Sequence, residues 1–217
     1  MTRLCDRAFF GGSFDPVHSG HISIIRFILQ SEAANHVEIV PAAISPFKLE
    51  KPPAPAEDRL RMLELALRNV SLDFPGRVIL NDFELRKGPP SYTFASLEEM
   101  RRSYKNETIG LVLGSDSLTG FSGWKNPSDI LAHHPLLVFQ RKGDLKAALL
   151  DKIEKIKIET GISSAAIHIL ENPLFDCSST EVRSHLPGLR EDDPLLAKCL
   201  PEGVRDYILE KRLYQSR

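Results

Sequence analysis

The chain has 217 residues, a length that one globular domain can fold around a single core. Apolar residues make up 42% and charged residues 26% of the sequence, which excludes a disordered or fibrous chain. The 28 Lys and Arg against 29 Asp and Glu give a formal net charge of -1, so bulk electrostatics do not favour a nucleic-acid or membrane partner. No apolar stretch is long enough for a signal peptide or a membrane span, and we therefore expect a cytoplasmic protein.

Short β-branched or aromatic runs alternate with segments of helical period along the whole chain. The runs predict strands at 7–10, 37–40, 78–80, 108–113, 136–139 and 166–170. Helical patterns lie between them, from the first at about 18–33 to the last at 201–213. This alternation predicts an α/β fold, a doubly wound Rossmann-like parallel sheet with helices on both faces. We expect a single domain over 1–217, closed by a helical segment at about 179–213.

The stretch 41–55 contains five prolines, which cannot donate backbone hydrogen bonds and which restrict the residues before them. It is predicted to be neither helix nor central strand. A long loop in a compact domain is usually functional, so we favour a loop that borders a ligand over a linker between domains.

Three cysteines, Cys5, Cys177 and Cys199, stand far apart in the sequence. Their odd number and the absence of a C-x-x-C or a neighbouring histidine indicate neither a disulfide framework nor a metal site. Each is predicted to be a small buried apolar residue.

A glycine-rich segment, residues 11–21, joins the first predicted strand to the first predicted helix. It reads Gly-Gly-Ser-Phe-Asp-Pro-Val-His-Ser-Gly-His. Glycines at the carboxyl end of a parallel strand let the backbone approach a ligand, and the helix that follows offers free amides and a positive dipole end. His18 and His21 share one face of the helix start and can stabilise charge on a phosphoryl group. Either histidine alone is equally typical of a cap or a surface position, and their coincidence with the glycines favours a phosphate site.

This segment resembles the signature of the HxGH nucleotidyltransferase superfamily, whose members join an NTP-derived nucleotide to a second substrate and release pyrophosphate. The resemblance is carried by residues 12–16, Gly-Ser-Phe-Asp-Pro, and residues 18–21, His-Ser-Gly-His. The loop lacks both the G-x-G-x-x-G spacing and the G-K-[ST] ending of other nucleotide-binding loops. The resemblance implies that His18 and His21 are catalytic, and that ATP is bound by Gly11, Gly12, Ser13, Phe14, His18 and His21.

A second segment, residues 178–183, reads Ser-Ser-Thr-Glu-Val-Arg and follows the last predicted strand. By itself it is adequately explained as a helix N-cap, although hydroxyls with a cation one turn later also make an anion cradle. In the superfamily a matching segment holds the triphosphate, with Ile where this chain has Cys177. The resemblance implies that ATP is also bound by Ser178, Ser179, Thr180 and Arg183, with Arg183 as a third catalytic residue.

The middle of the chain resembles the nicotinate mononucleotide adenylyltransferase branch of the superfamily. The resemblance is carried by residues 90–93, Pro-Ser-Tyr-Thr, residues 114–118, Gly-Ser-Asp-Ser-Leu, and Trp124. It implies that Tyr92, Thr93 and Trp124 bind the nicotinate mononucleotide. It also implies that Gly114 and Asp116 bind ATP, with the Asp116 carboxylate contacting a ribose. An indole can stack on a pyridine ring and a carboxylate can accept hydrogen bonds from sugar hydroxyls. Without the resemblance, Trp124 reads as a core residue and Asp116 as the cap of a turn.

Lys48 lies inside the proline-rich stretch and is expected to bind the phosphate of the mononucleotide as a flexible point charge. The family often has His before this basic residue, where this chain has Phe47. The alternative is a solvated loop cation.

The resemblance implies adenylyl transfer from ATP to nicotinate mononucleotide by direct in-line attack, giving deamido-NAD and pyrophosphate. The acceptor phosphate is already an anion, so catalysis reduces to positioning and charge stabilisation. Mg²⁺ would arrive with ATP on phosphate and water ligands, without a metal site of the protein. Two rivals stand: another adenylyltransferase of the superfamily, such as a phosphopantetheine adenylyltransferase, and a nucleotide-sensing module without chemistry. The residues leave open both the choice between nicotinate and nicotinamide forms and a homo-oligomeric state.

Overall fold

The fold is built on six strands, which a computed structural model describes together with the rest of residues 2–44, 53–187 and 193–215. In chain order the strands are β1 (Cys5–Gly12), β2 (Ala34–Pro41), β3 (Val78–Leu80), β4 (Ile109–Gly114), β5 (Leu136–Phe139) and β6 (Ile167–Leu170). They form one sheet in the order β3-β2-β1-β4-β5-β6, and each pairing is parallel. This is the doubly wound order that the sequence pattern predicts.

Helices connect the strands and close the chain. They are α1 (Ser19–Gln30), α2 (Ala56–Asp73), α3 (Phe83–Lys87), α4 (Thr93–Ser103), α5 (Ser115–Leu118), α6 (Pro127–His133), α7 (Lys146–Thr160), α8 (Ser179–His185), α9 (Pro194–Cys199) and α10 (Glu202–Glu210). A short 3₁₀ turn lies at Phe121–Gly123. None of the helices within the described ranges is both long and apolar enough to cross a bilayer.

Alternate residues of the central strands belong to two separate cores. Ala8 and Phe10 of β1 pack with α1, α2 and the C-terminal helices, whereas Phe9, between them, packs with α4, α6 and α7. A period of two along a strand sends successive side chains to opposite faces, so the sheet is covered on both sides. The near-continuous apolar runs of the sequence are those of such a doubly covered sheet.

The chain reverses its winding between β1 and β4, which are neighbours in the sheet although β2 and β3 come between them in sequence. Connections on the two sides of this pair leave in opposite directions, which opens a crevice at the carboxyl ends of the two strands. The glycine-rich segment follows β1 and Gly114 ends β4. Both therefore lie at this crevice.

One residue of the proline-rich stretch is placed differently from the prediction. Pro41 ends β2, a strand inside the sheet, and is paired with Gly12. The position tolerates proline because it is the last residue of the strand, and the amide of Ala42 donates to Gly12 O at 2.8 Å just beyond it. The core of the stretch, 45–52, falls in a gap between the described ranges.

The cysteine prediction is confirmed for burial, since Cys5, Cys177 and Cys199 are all buried, but it is wrong about the absence of a disulfide. Cys177 and Cys199 form a disulfide with Cα atoms 5.7 Å apart, because the end of α9 folds back against the residue that precedes the start of α8. Cys5 is a buried free thiol, as predicted, and burial raises its pKa to about 12.

Candidate active site

A cavity of about 670 Å³ opens at the carboxyl edge of the sheet beside β1 and β4. Its size is that of a small-ligand site. The residues that line it come from several parts of the chain, among them the loop after β1, the start of α4 and the segment that follows β4. Of the residues predicted for the site, the wall contains Gly11, Gly12, Ser13, His21, Tyr92, Thr93, Gly114, Asp116 and Trp124.

The loop after β1 has one residue in the left-handed region of backbone space. Phe14 has φ 46°, a conformation that non-glycine residues adopt rarely and that tertiary packing must stabilise. The packing is visible: its ring is buried and contacts the Phe10 ring edge-to-face, with centroids 5.6 Å apart. The ring also contacts His21 at 5.0 Å. Phe14 thus packs against Phe10 and His21 and does not line the cavity.

His21 is held in one tautomer by the backbone. The amide of His18 donates to Nδ1 of His21 at 3.2 Å, so Nδ1 is an acceptor and, in the neutral ring, the proton is on Nε2. His21 lies in the cavity wall. It therefore offers a ring N–H donor at the start of α1.

His18 is the N-cap residue of α1 and is only 7% exposed. Its ring lies against that of His21, with centroids 3.7 Å apart. Burial, with a smaller contribution from the Arg141 charge, lowers its pKa to about 4, so the ring is neutral at pH 7. A Cβ at Gly20 would lie 3.0 Å from the His18 ring, which explains the glycine between the two histidines.

The second segment meets the first through hydrogen bonds. Ser178 is the N-cap of α8, and its hydroxyl accepts from the amide of Glu181 at 3.1 Å. Ser179 Oγ donates to Pro16 O at 3.0 Å, and Arg183 donates to Asp15 O. The structure thus brings the two segments together, although His18 and the segment from Ser178 to Arg183 lie beside the cavity wall and are not in it.

A buried arginine, which the sequence analysis did not single out, donates hydrogen bonds to main-chain oxygens of the loop after β1 and of the chain after β2. Arg59 of α2 is 1% exposed. Its guanidinium donates to Ser13 O and Ala42 O, both at 2.8 Å, and to Ala54 O at 3.0 Å. One side chain therefore ties the glycine-rich segment to the chain that follows β2.

The residues predicted to form the nicotinate pocket include two rings of the cavity wall, those of Tyr92 and Trp124. Trp124 is half-buried and packs on Phe121, with ring centroids 5.1 Å apart, so it is both part of the core and part of the cavity wall. The Tyr92 ring faces Lys125, whose Nζ is 4.5 Å from the ring centroid. Thr93 is the first residue of α4.

A buried carboxyl supports the start of α4. Glu84 is buried but reaches the cavity wall, and Ser96 Oγ donates to its Oε1. Burial raises the pKa of the Glu84 carboxyl above its usual range. The contact links α3 to α4 beneath Tyr92 and Thr93.

Arg141, also missed from the sequence, forms an ion pair with Asp116 in the cavity wall. Its Nε lies 3.1 Å from Asp116 Oδ1, and both residues line the wall. Asp116 is thus paired with a cation, and no side-chain cap is formed at the N-terminus of α5. The available signal was position, since a cation two residues beyond β5 stands at the carboxyl edge where ligands bind in such sheets.

The described part of the chain provides no metal cage of its own. Over 2–44, 53–187 and 193–215, no group of three or more His, Cys, Asp or Glu side chains could hold an ion. Lys48, predicted to bind the acceptor phosphate, and Phe47, which precedes it, lie outside the described residues.

Known proteins are similar to this chain in sequence and in fold. The cytidylyltransferase-like family matches residues 9–185. A protein of Rhodopirellula baltica named as a probable nicotinate-nucleotide adenylyltransferase is 33% identical over 209 residues, covering 95% of this chain and 92% of that protein. A Klebsiella pneumoniae protein of the same name is 32% identical over 224 residues, covering 99% and 98%.

One solved structure, that of Plasmodium falciparum nicotinic acid mononucleotide adenylyltransferase complexed with NaAD, has a TM-score of 0.80 at 20% identity and covers 98% of each chain. At that identity the likeness shows the shared fold. The family resemblance seen in the sequence is confirmed: the chain belongs to the cytidylyltransferase-like family, among the relatives named as nicotinate-nucleotide adenylyltransferases.

Proposed function

We propose that this protein transfers the adenylyl group of ATP to nicotinate mononucleotide, giving deamido-NAD and pyrophosphate. The observation that carries the proposal is the meeting of two segments more than 160 residues apart, through Ser179 on Pro16 O and Arg183 on Asp15 O. They meet at the loop after β1, and that loop and the rings of Tyr92 and Trp124 line one cavity. A nucleotide-joining enzyme needs a triphosphate site next to a site for a flat ring, and these two groups of residues would supply them.

The phosphate side would stabilise charge without acting as a nucleophile. The Nε2–H of His21 and the amides at the start of α1 provide preorganised donors for the α-phosphate, where charge changes in the transition state. His18, neutral at pH 7, adds a donor or acceptor without adding a charge. Arg183 with Ser179 and Thr180 would bind the outer phosphates after exchanging some of their present contacts with the loop.

The acceptor side would orient the attacking phosphate. Trp124 offers an indole face for the nicotinate ring, and Tyr92 and Thr93 lie at the start of α4, where backbone amides are available for the ring carboxylate. Lys48 is the proposed partner of the mononucleotide phosphate. Holding the two substrates in line replaces a bimolecular encounter by a positioned one, and no general base is required.

Mg²⁺ belongs in this proposal as part of the substrate. The donor set of the described cavity fits an ion that keeps phosphate and water ligands, because Asp116, its most exposed carboxylate, is already paired with Arg141. When bound, the ion would neutralise phosphate charge. Since ATP is the donor substrate, the proposal also places the protein in the cytoplasm and treats residues 1–217 as one nucleotidyltransferase domain.

The test is a coupled measurement of pyrophosphate release and product formation with MgATP. Purified protein is offered nicotinate mononucleotide, nicotinamide mononucleotide or phosphopantetheine at equal concentration. We expect the highest kcat/KM with nicotinate mononucleotide and a dinucleotide product of matching mass. A preference for phosphopantetheine, or ATP binding without any pyrophosphate release, would reject the proposal.

A further inference from the structure

Asp15 belongs to the glycine-rich segment after β1, the proposed phosphate loop. Its side chain is contacted there by three distant parts of the chain. Its Oδ1 accepts from the hydroxyl of Tyr214 at 2.7 Å and from the amide of Ala54 at 3.0 Å. Its Oδ2 lies 3.8 Å from Nη1 of Arg183, which also donates to the Asp15 main-chain oxygen. The side chain is 9% exposed, so these contacts are made largely out of water.

The contact from Tyr214 joins the C-terminal end of the fold to the loop, 199 residues away in sequence. Tyr214 is 6% exposed and has φ 66°, while Phe14, next to Asp15, has φ 46°. Tyr214 itself and Phe14, the neighbour of Asp15, are thus non-glycine residues with a left-handed backbone. Such a conformation persists only where the surrounding structure fixes it. Asp15 also interacts with the charge of Arg59. Burial lowers the pKa of the Arg59 guanidinium, whereas the negative charges of Asp15 and Tyr214 would raise it.

We propose that Tyr214 is a positioning residue for ATP, because its hydroxyl holds the Asp15 carboxylate away from Arg183, whose guanidinium donates instead to Asp15 O and Thr180 Oγ1. The 3.8 Å separation is long for a charged hydrogen bond, and the Arg183 side chain is 30% exposed, so its guanidinium keeps donors for a triphosphate. Without the Tyr214 donor, the carboxylate would turn to Arg183 and pair with it closely. Arg183 would then be withdrawn from the nucleotide.

This inference rests on the proposed function for the role of Arg183, but its first readout does not need turnover. The Kd of ATP is measured calorimetrically without acceptor for the wild type and for Tyr214→Phe, which keeps the buried ring. The lost hydrogen bond is one to a charged group, and we expect ATP to bind about ten-fold more weakly. If ATP binds as expected and no acceptor releases pyrophosphate, the proposed function fails while this inference stands.

The chain supplies a matched control. Tyr207 of α10 makes the same kind of contact, from its hydroxyl to Asp58 Oδ1 at 2.8 Å, on the α2 side and outside the phosphate loop. Tyr207→Phe should leave the ATP Kd and kcat unchanged. An equal loss of ATP affinity in both variants would mean general loosening of the C-terminal region and would overturn the inference.

A double-mutant cycle tests the route through Arg183. In Arg183→Ala, the additional change Tyr214→Phe should alter the ATP Kd by less than about two-fold, because the group to be positioned is absent. Asp15→Asn gives a second background, in which a neutral amide cannot capture Arg183 and the same change should again have little effect. Thermal unfolding of each variant verifies folding. Equal, additive ten-fold effects of Tyr214→Phe in all backgrounds would reject the positioning role.

Discussion

The two ends of the cavity are built in different ways. At the proposed phosphate end, contacts between residues far apart in sequence fix the loop: buried Arg59 on its carbonyls, buried Tyr214 on Asp15, and the partly exposed Arg183 on the Asp15 main-chain oxygen. At the proposed acceptor end the rings of Tyr92 and Trp124 are half-buried: Trp124 packs on Phe121, close in sequence, and Tyr92 faces Lys125. The difference suggests that the enzyme preorganises the donors for the transition state and lets the acceptor pocket adjust to its ligand.

The largest expected effect concerns the disulfide that links the start of α8 to the end of α9. Cys177 and Cys199 are 22 residues apart in sequence, and closing a loop of that size stabilises the folded state by about 3 kcal/mol in the chain-entropy account. Denaturant unfolding with and without dithiothreitol should show a loss of this size in the wild type. The double variant Cys177→Ser/Cys199→Ser is the control, since the reductant should not affect it. Three reactive thiols in the denatured, unreduced protein, in place of one, would contradict the linkage.

The next effect separates the two ends of the cavity by rate. His21→Ala removes the ring donor held by the His18 amide and should lower kcat by about 100-fold, the usual loss for one preorganised charge-stabilising donor. The KM for the acceptor should change little. Pyrophosphate release is the measurement, and His133→Ala, an exposed histidine on α6, is the control. Unchanged turnover in His21→Ala would remove His21 from the mechanism.

A smaller effect tests the burial of His18 through pH. A pKa lowered to about 4, against about 6.5 in the unfolded chain, means that the unfolded state binds the proton more readily between these values. Stability is therefore full above about pH 6.5 and falls as the pH drops toward 4. Between pH 7 and pH 5 the expected loss from His18 is about 2 kcal/mol.

The measurement is the free energy of unfolding in urea at both pH values, for the wild type and for His18→Gln. Burial also lowers the pKa values of His134 and His168, and since both remain in the variant, their contribution cancels in the difference. The variant should lose about 2 kcal/mol less than the wild type on acidification. Identical losses would show that His18 titrates as an exposed histidine.

Much of the fold could be predicted from the sequence because its signals are local. Strands such as 136–139 and 78–80 coincide with β5 and β3, since apolar runs between helical patterns leave few alternatives in an α/β chain. Pro41 shows the limit of such rules: a residue that is excluded from the middle of a strand is acceptable as its last member.

The site was predictable only as far as its motifs extend. Two segments rich in Gly, His, Ser and Thr indicated the phosphate end, but nothing local in the sequence pairs Asp15 with Tyr214 or Cys177 with Cys199, because such contacts depend on how distant helices pack. Arg59 read as an ordinary charged residue of an amphipathic helix. Its burial follows from four backbone carbonyls that only the folded loop brings together.

The smallest effect, at the acceptor end, completes the contrast with His21. Removing the indole in Trp124→Ala should raise the KM for nicotinate mononucleotide by about ten-fold, as expected for the loss of one stacked ring. The kcat and the KM for ATP should stay within about two-fold. Trp124→Phe keeps a flat ring, so its KM for nicotinate mononucleotide should lie between those of the wild type and of Trp124→Ala. Because both substitutions change the contact with Phe121, an unfolding curve is measured for each variant. If the KM for ATP rose in step with that of the acceptor, the two ends of the cavity would not be independent, and the division between a preorganised and an adjustable end would be wrong.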